Sequence, residues 1–328
     1  MNSQSLLSRR SAAGLAFAAT LALCAVVVAP AAAQSRAPQN PAAGPPGGQR
    51  AIGPWVFSLS GGGVHQSRTD LDDSNGDFNV TRGFIQGSGG YAFNRRTSVS
   101  LSLGLGEADY GFSDTVSIGG GKPWGRIRDY RVSLPVRFGI GDRGNAILVP
   151  SLRSYAEKGA SLDDGRTEGF LAGFGWRFSD RLEIGPGVGW FSSIGDDSQL
   201  IPILVIDWDI TDRLKLSTGG GLAATQGPGL TLDWRASDKV TIGLTGRYER
   251  VRFRLDDAGP APGGIGQDES FPLVLTLGVA PWPAARITAF AGVEFAGELR
   301  LENAQGDRID TTKYDPAPLL GLSFRARF

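Results

Sequence analysis

The last eleven residues of the chain, Pro318 to Phe328, alternate without a break. Leu320, Leu322, Phe324, Ala326 and Phe328 fall on one face, and Gly321, Ser323, Arg325 and Arg327 on the other. A period of two belongs to a β-strand and cannot lie on one side of a helix. An apolar row backed by two arginines needs an apolar medium on one side and water on the other. A soluble sandwich and a membrane-spanning barrel both offer that contrast, so the rest of the chain has to choose between them.

The alternation recurs along the chain. Tyr130, Val132, Leu134, Val136, Phe138 and Ile140 alternate with Arg131, Ser133, Pro135, Arg137 and Gly139; similar rows start at Val99, Phe170, Leu230, Phe271 and Ile287. The connections are of two kinds. Phe178–Leu182, Ile210–Leu214 and Ala236–Val240 are short turns built on Ser/Thr-Asp-Arg/Lys, and Asn94–Thr97, Gly141–Gly144 and Pro281–Pro283 occupy equivalent places. Between them lie longer polar stretches: Gln66–Asp77, Asp109–Arg126, Lys158–Arg166, Ser193–Gln199, Leu222–Gly227, Asp256–Asp268 and Glu298–Asp315. Short turns at one rim and long loops at the other are the asymmetry of transmembrane barrels. Six turns and seven loops predict fourteen antiparallel strands, with twelve as the alternative because the segments near Ile147–Ala156 and Leu214–Gly221 alternate least clearly. Phe93, Phe138, Trp176, Phe178, Trp208, Trp234, Trp282 and Phe328 cluster beside the short turns, where an interfacial belt belongs. Pro135, Pro186, Pro202 and Pro272 fall inside strands, and a closed barrel has no free edge for them, so bulges or lumenal water are expected there.

The N-terminus fits export. Arg9 and Arg10 precede an uncharged apolar run, and Ala31-Ala32-Ala33 offers a cleavage point, the pattern of a Sec signal peptide over residues 1–33. Residues 34–53 are rich in Pro, Gly, Ala and Gln and are expected to be a disordered periplasmic tail, leaving 54–328 for the barrel. The one cysteine, Cys24, lies in the signal, so neither disulfides nor thiolate metal sites are expected. Lys plus Arg and Asp plus Glu are each 33, and removing Arg9 and Arg10 leaves a net charge of −2, too small to suggest nucleic acid.

A chain that stops on Phe328 at the end of such a strand resembles the bacterial outer-membrane β-barrels, whose assembly machinery reads the final strand. Pro202-Ile203-Leu204-Val205-Ile206-Asp207-Trp208-Asp209-Ile210-Thr211-Asp212-Arg213-Leu214 and Gly227-Pro228-Gly229-Leu230 resemble an uncharacterised bacterial family of such barrels, a domain of unknown function. That resemblance covers about Leu182 to Phe328 and implies the barrel fold without implying an activity. The implied setting is the bacterial outer membrane, with its lipids, lipopolysaccharide and the barrel-assembly machinery as partners.

Three local patterns suggest chemistry and do not carry it. His65-Gln66-Ser67 sets an imidazole and a hydroxyl two residues apart, as in outer-membrane lipid hydrolases, but Arg68-Thr69-Asp70 follows where those enzymes continue differently. Asp70, Asp72, Asp73 and Asp77 crowd one loop without the register of an EF-hand. Gly119-Gly120-Gly121-Lys122 lacks P-loop spacing. No catalytic residue, metal ligand or cofactor is therefore assigned.

The inward face is more informative. By alternation it carries Arg131, Arg137, Arg153, Arg177, Lys215, Arg235, Arg247, Arg286, Arg325 and Arg327, opposed by Glu183, Asp207, Asp209, Asp233, Glu249 and Glu294. Such a wall can be a salt-bridge ladder, a selectivity device, or both. The expectation is a passive channel or small-solute transporter of unknown cargo, with a non-conducting structural barrel as the alternative and a lipid hydrolase further behind. Glu298–Asp315 and Asp109–Arg126 are the loops long enough to enter the lumen.

Overall fold

The computed structural model describes residues 54–72, 76–218 and 229–328. The expected signal peptide and periplasmic tail lie outside the described residues. Period-two patterning becomes seventeen strand segments in one antiparallel sheet: β1 (Trp55–Asp70), β2 (Asp77–Ala92), β3 (Ser98–Phe112), β4 (Arg126–Ser133), β5 (Val136–Ile140), β6 (Gly144–Glu157), β7 (Arg166–Ser179), β8 (Leu182–Ser193), β9 (Asp196–Asp209), β10 (Leu214–Thr218), β11 (Gly229–Arg235), β12 (Val240–Arg247), β13 (Glu249–Arg254), β14 (Ile265–Trp282), β15 (Ala285–Glu302), β16 (Arg308–Tyr314) and β17 (Ala317–Arg327). Three pairs of segments, β4/β5, β12/β13 and β16/β17, are single strands broken at Leu134-Pro135, Tyr248 and Asp315-Pro316, so the strands number fourteen. Closure is direct: β1 pairs with β2 on one side and with β17 on the other, from Ser58↔Arg327 to Gln66↔Leu319.

The outer surface is apolar. Leu101, Leu103, Leu105, Leu275, Leu320 and Leu322 point away from the barrel and are exposed, an arrangement a water-soluble sandwich would bury. Trp55, Phe93, Phe178, Trp282 and Phe328 ring the short-turn rim, all exposed. Among the described residues no helix is long and apolar enough to cross a membrane.

The strand lengths are unequal, and this shapes the molecule. A tilted spanning strand needs about 9–11 residues. β1 and β2 have 16 and β14 and β15 have 18, whereas β8 has 12. The long strands continue past the membrane on the long-loop side. The segment expected as the loop Glu298–Asp315 is therefore mostly a β-hairpin, with Gly297↔Tyr314 to Leu301↔Asp310 in register and a one-residue shift before Glu302↔Arg308. Leu299 and Leu301 keep the alternation going and are fully buried, which is why the polar residues around them do not make a loop.

At one level this extension bends. Ser270 on β14 faces both Ala296 and Gly297 on β15, a bulge in which Ala296 takes φ 51°. The breaks at Tyr248 and Asp315-Pro316, and a second bulge at Ser67–Arg68, sit on the same group of strands. Bulges increase local twist and re-aim a strand. Here they carry β13 across the mouth to meet β6 at a parallel bridge, Arg254↔Ala156. The mouth reseals as nine strands: those containing β13, β14, β15, β16, β1, β2, β3, β4 and β6. An odd number of otherwise antiparallel strands closes only with one parallel pair, and this bridge is that pair.

Candidate functional site: the lumen

Fourteen strands enclose more space than side chains can fill, whereas about eight do not. The nine-stranded mouth is filled. Phe78, Tyr110, Phe112, Tyr155, Phe253 and Tyr314 from the wall pack with Val116, Ile118 and Trp124 from the loop over residues 113–125. Trp124 meets Phe253 edge-on at 5.1 Å, Phe78 meets Tyr314 at 5.0 Å, and Tyr155 meets Phe253 at 5.7 Å. Edge-to-face pairs contribute about 0.5–1.5 kcal/mol each beyond area burial. Of the two loops expected to be long enough to enter the lumen, this one supplies side chains to the plug; the other is the hairpin just described. On the same loop, exposed Lys122 clasps Asp114 at 2.7 Å and holds its carboxyl below the usual range.

Directly beneath the aromatic core lies a buried polar network. Arg82 donates to Glu294 at 2.9 Å and to Asp268 at 2.8 Å. Tyr110 and Tyr314 donate to the two oxygens of Asp268 at 2.8 and 3.2 Å. Arg247 and Glu249 form a second pair at 3.0 Å against the same pocket, which Val64, Phe290 and Leu319 complete. On β4 and β6, Arg153 grips Asp129 through Nε at 2.7 Å and Nη2 at 3.0 Å, while Arg131 reaches the same carboxylate at 2.9 Å. Arg153 also lies over the Tyr155 ring, 4.0 Å from its centroid.

Glu294, Arg247, Glu249, Arg131 and Arg153 are thus tied into pairs, but three of the partners escaped sequence reasoning. Arg82 stands in the row Phe78, Val80, Arg82 and Phe84, Asp129 two residues before Arg131, and Asp268 at the edge of a stretch taken for loop. Strict alternation through β2 and β4 would have found the first two. Asp268 needed the knowledge that β14 begins at Ile265.

The periplasmic half is different. Lys215 holds Asp207 at 2.7 Å and lies 4.0 Å from Asp209. Arg286 donates to Thr241 at 3.2 Å and acts electrostatically on Asp233. Arg235 lies at the lower end of β11 and Arg325 on β17 opposite Arg286. Arg177 and Glu183 are cross-strand neighbours, yet Glu183 accepts from Asn145 at 2.8 Å and leans over Gly175 instead. Among the described residues, Arg137, Arg177 and Arg327 have no carboxylate within ion-pair distance, although Arg137 feels the fields of Arg327 and Glu183.

The remaining local patterns resolve simply. His65 bonds Thr81 at 2.9 Å, both side chains exposed, and the bulge at Ser67–Arg68 ends the alternation that would have put Ser67 on its face. Asp77 pairs with Arg68 at 2.8 Å, and Asp73 lies outside the described residues. No three carboxylates, histidines or cysteines converge among the described residues. Phe328 exchanges backbone hydrogen bonds with Phe57 at 2.9 and 3.3 Å, while its ring is exposed.

No known family matches the sequence, and no curated protein does. Solved structures with similar architecture are bacterial outer-membrane barrels. The COG4313 outer membrane channel from Pseudomonas putida is 10% identical, with 87% of this chain and 100% of that chain covered, at a TM-score of 0.47. The P. putida toluene transporter TodX is 9% identical, with 84% and 90% covered, at 0.41. A Pseudomonas aeruginosa FadL homologue is 11% identical, with 83% and 90% covered, at 0.36.

Proposed function

We propose that the chain is an outer-membrane channel that passes small solutes passively, with a weak preference for anions. The observation that carries the reading is the set of guanidinium groups of Arg137, Arg177 and Arg327 in the periplasmic half of the lumen, each without a carboxylate partner among the described residues. Arg82, Asp129 and Asp268 join the inward charges expected from the sequence, which narrows the basic excess without removing it. Fields inside a low-dielectric wall are focused, so fixed lumenal charge outweighs charge on distant loops. Salt shortens that reach to about 10 Å at 0.1 M.

In a bilayer separating unequal KCl concentrations, the refolded protein should reverse at a potential of anion sign. The preference should fade as salt rises, and Arg137→Glu with Arg177→Glu should move the potential toward cations. Cation preference in the wild type would sink the charge argument. The aromatic core across the extracellular mouth favours a second reading, a non-conducting structural barrel, and absence of any conductance in the same recordings would select it. The partners that go with either reading are outer-membrane lipid, lipopolysaccharide and the barrel-assembly machinery.

A further inference from the structure

Charge in the periplasmic half of the lumen is not spread evenly. Among the described residues its inward carboxylates, Glu183, Asp207, Asp209 and Asp233, stand on β8, β9 and β11, interleaved with Arg177, Lys215 and Arg235. The opposite arc runs through β15, β17, β1, β2, β3 and β5, with β1 half-way round the barrel from β9. Its inward positions below the buried network carry Arg286, Arg325, Arg327 and Arg137 and no described carboxylate. Glu294 and Asp129, the acids further up these strands, are already held by Arg82, Arg131 and Arg153.

The arginines border a floor of small residues. Register runs from Arg327 to Ser58, from Ser58 to Ser88 and from Ser88 to Ser102, while Ser60 faces Arg325 and Ser98 faces Arg137. The Ser58 and Ser88 hydroxyls meet at 2.6 Å. Gly90 continues the floor, and a Cβ there would come 2.6 Å from that of Ser100. Side chains this short cannot fill a fourteen-stranded wall, so the space over them is left to the arginines. Arg137, Arg325 and Arg327 are each only half-buried.

The guanidiniums converge over this floor. Four strand intervals of about 4.8 Å each separate β17 from β5 along the arc. Arg327 and Arg137 can therefore influence one another only by leaning inward across the serines. They do so: after its own burial, Arg137 feels the field of Arg327 most, ahead of that of Glu183. Arg325 feels Arg327 and its register partner Arg286. Arg286 is the outlying member, bonded to Thr241 and acting on Asp233. Like charges gathered on a partly desolvated wall repel, and an anion between them turns that repulsion into attraction.

We propose that this serine floor, flanked by Arg137 and Arg327, binds a doubly charged tetrahedral oxyanion of the phosphate and sulfate class. Arg137 would approach from one side and Arg327 from the other, with Arg325 adding charge. The Ser58–Ser88 pair uses one of its two hydroxyl protons and keeps the second to donate from beneath. A guanidinium offers its N–H groups as a flat fork, so two forks on opposite sides call for oxygens pointing in several directions. A tetrahedral ion supplies them; a planar, singly charged one answers one fork and half the charge. The inference deepens the anion-channel reading by naming a class of cargo. It rests on that reading for the ion's movement, not for its binding.

The test is calorimetric titration of the full-length protein in phosphatidylcholine nanodiscs with phosphate, sulfate and nitrate, using empty nanodiscs as the blank. Mildly alkaline pH keeps phosphate a dianion. Phosphate and sulfate should bind saturably, and nitrate at least tenfold more weakly. Arg137→Gln with Arg327→Gln should weaken phosphate at least tenfold. Arg235→Gln, a loss of charge on the other wall, should change it less than twofold. Neither Arg137 nor Arg327 holds a described carboxylate, so their variants should keep the heat-modifiable folded band. Should the double variant fail to fold, Arg137→Gln alone and the wild-type comparison of phosphate with nitrate still decide. Phosphate heats equal to the blank, equal affinity for nitrate, or unchanged affinity in the folded arginine variants would each overturn the site. A barrel that binds phosphate but passes no current would remove the channel reading and leave the site. One that conducts anions but holds phosphate no better than nitrate would do the reverse.

Discussion

Gly297 shows how much of the cap depends on single positions. The Tyr314 ring lies where its Cβ would be, and the hydroxyl of that ring holds Asp268. Gly297→Ala should push the ring away and disturb the network beneath, lowering stability by about 1–3 kcal/mol, the usual cost of overpacking. Gly87 has nothing within 4 Å of the same position, so Gly87→Ala should be neutral or stabilising by about 0.4–1 kcal/mol. Urea-unfolding midpoints in detergent would separate the two. Arg82 is the other such position. It answers two buried carboxylates, and Arg82→Leu would leave both uncompensated, a loss of about 3–5 kcal/mol. Arg68, an exposed partner of Asp77, should cost no more than about 1 kcal/mol when replaced by Ala. Similar losses for both would mean that the Arg82 network is solvated.

At the scale of the element, alternation assigns each strand one lipid face and one lumenal face. Leu134 is exposed on the outer surface beside the break at Pro135, while Ser133 shares its face with Arg131. A charge at mid-membrane on the lipid face costs roughly 2–4 kcal/mol, and far less on the lumenal face. Leu134→Arg and Leu232→Arg should therefore reduce the yield of folded barrel on heat-modifiability gels, whereas Ser133→Arg should fold normally. A reversed outcome would mean that the register is displaced by one residue, and an equal one that the two faces do not differ as lipid and lumen. Proline follows the same logic. Pro135 lacks an N–H, yet its carbonyl still accepts from Ser100 at 2.9 Å, and the strand simply breaks there.

For the molecule as a whole, closure joins the two ends of the barrel, and Phe328 lies at that seam. Its backbone completes the β1–β17 ladder at Phe57, but its exposed ring packs into no core. Deleting Phe328 should therefore affect delivery to the membrane more than intrinsic stability. Folded protein in outer membranes should fall, while refolding in detergent should proceed. Normal membrane levels of the truncated chain would count against an assembly role.

Fold class, strand number and the two faces of each strand were legible in the sequence because alternation and turn chemistry act within a few residues. The Asp-Arg turns and the row ending at Phe328 needed no distant partner to be read. Which inward residues meet was not legible. Leu301 and Phe253 share a core although they are far apart in the chain, and Arg82 meets Asp268 only because bulges fold β13 to β16 over the mouth. Nor could spacing reveal that Glu183 turns to Asn145 and leaves Arg177 without it. Local pattern sets the direction of a side chain, whereas its partner is set by the curvature and closure of the whole sheet, which no short window of sequence contains.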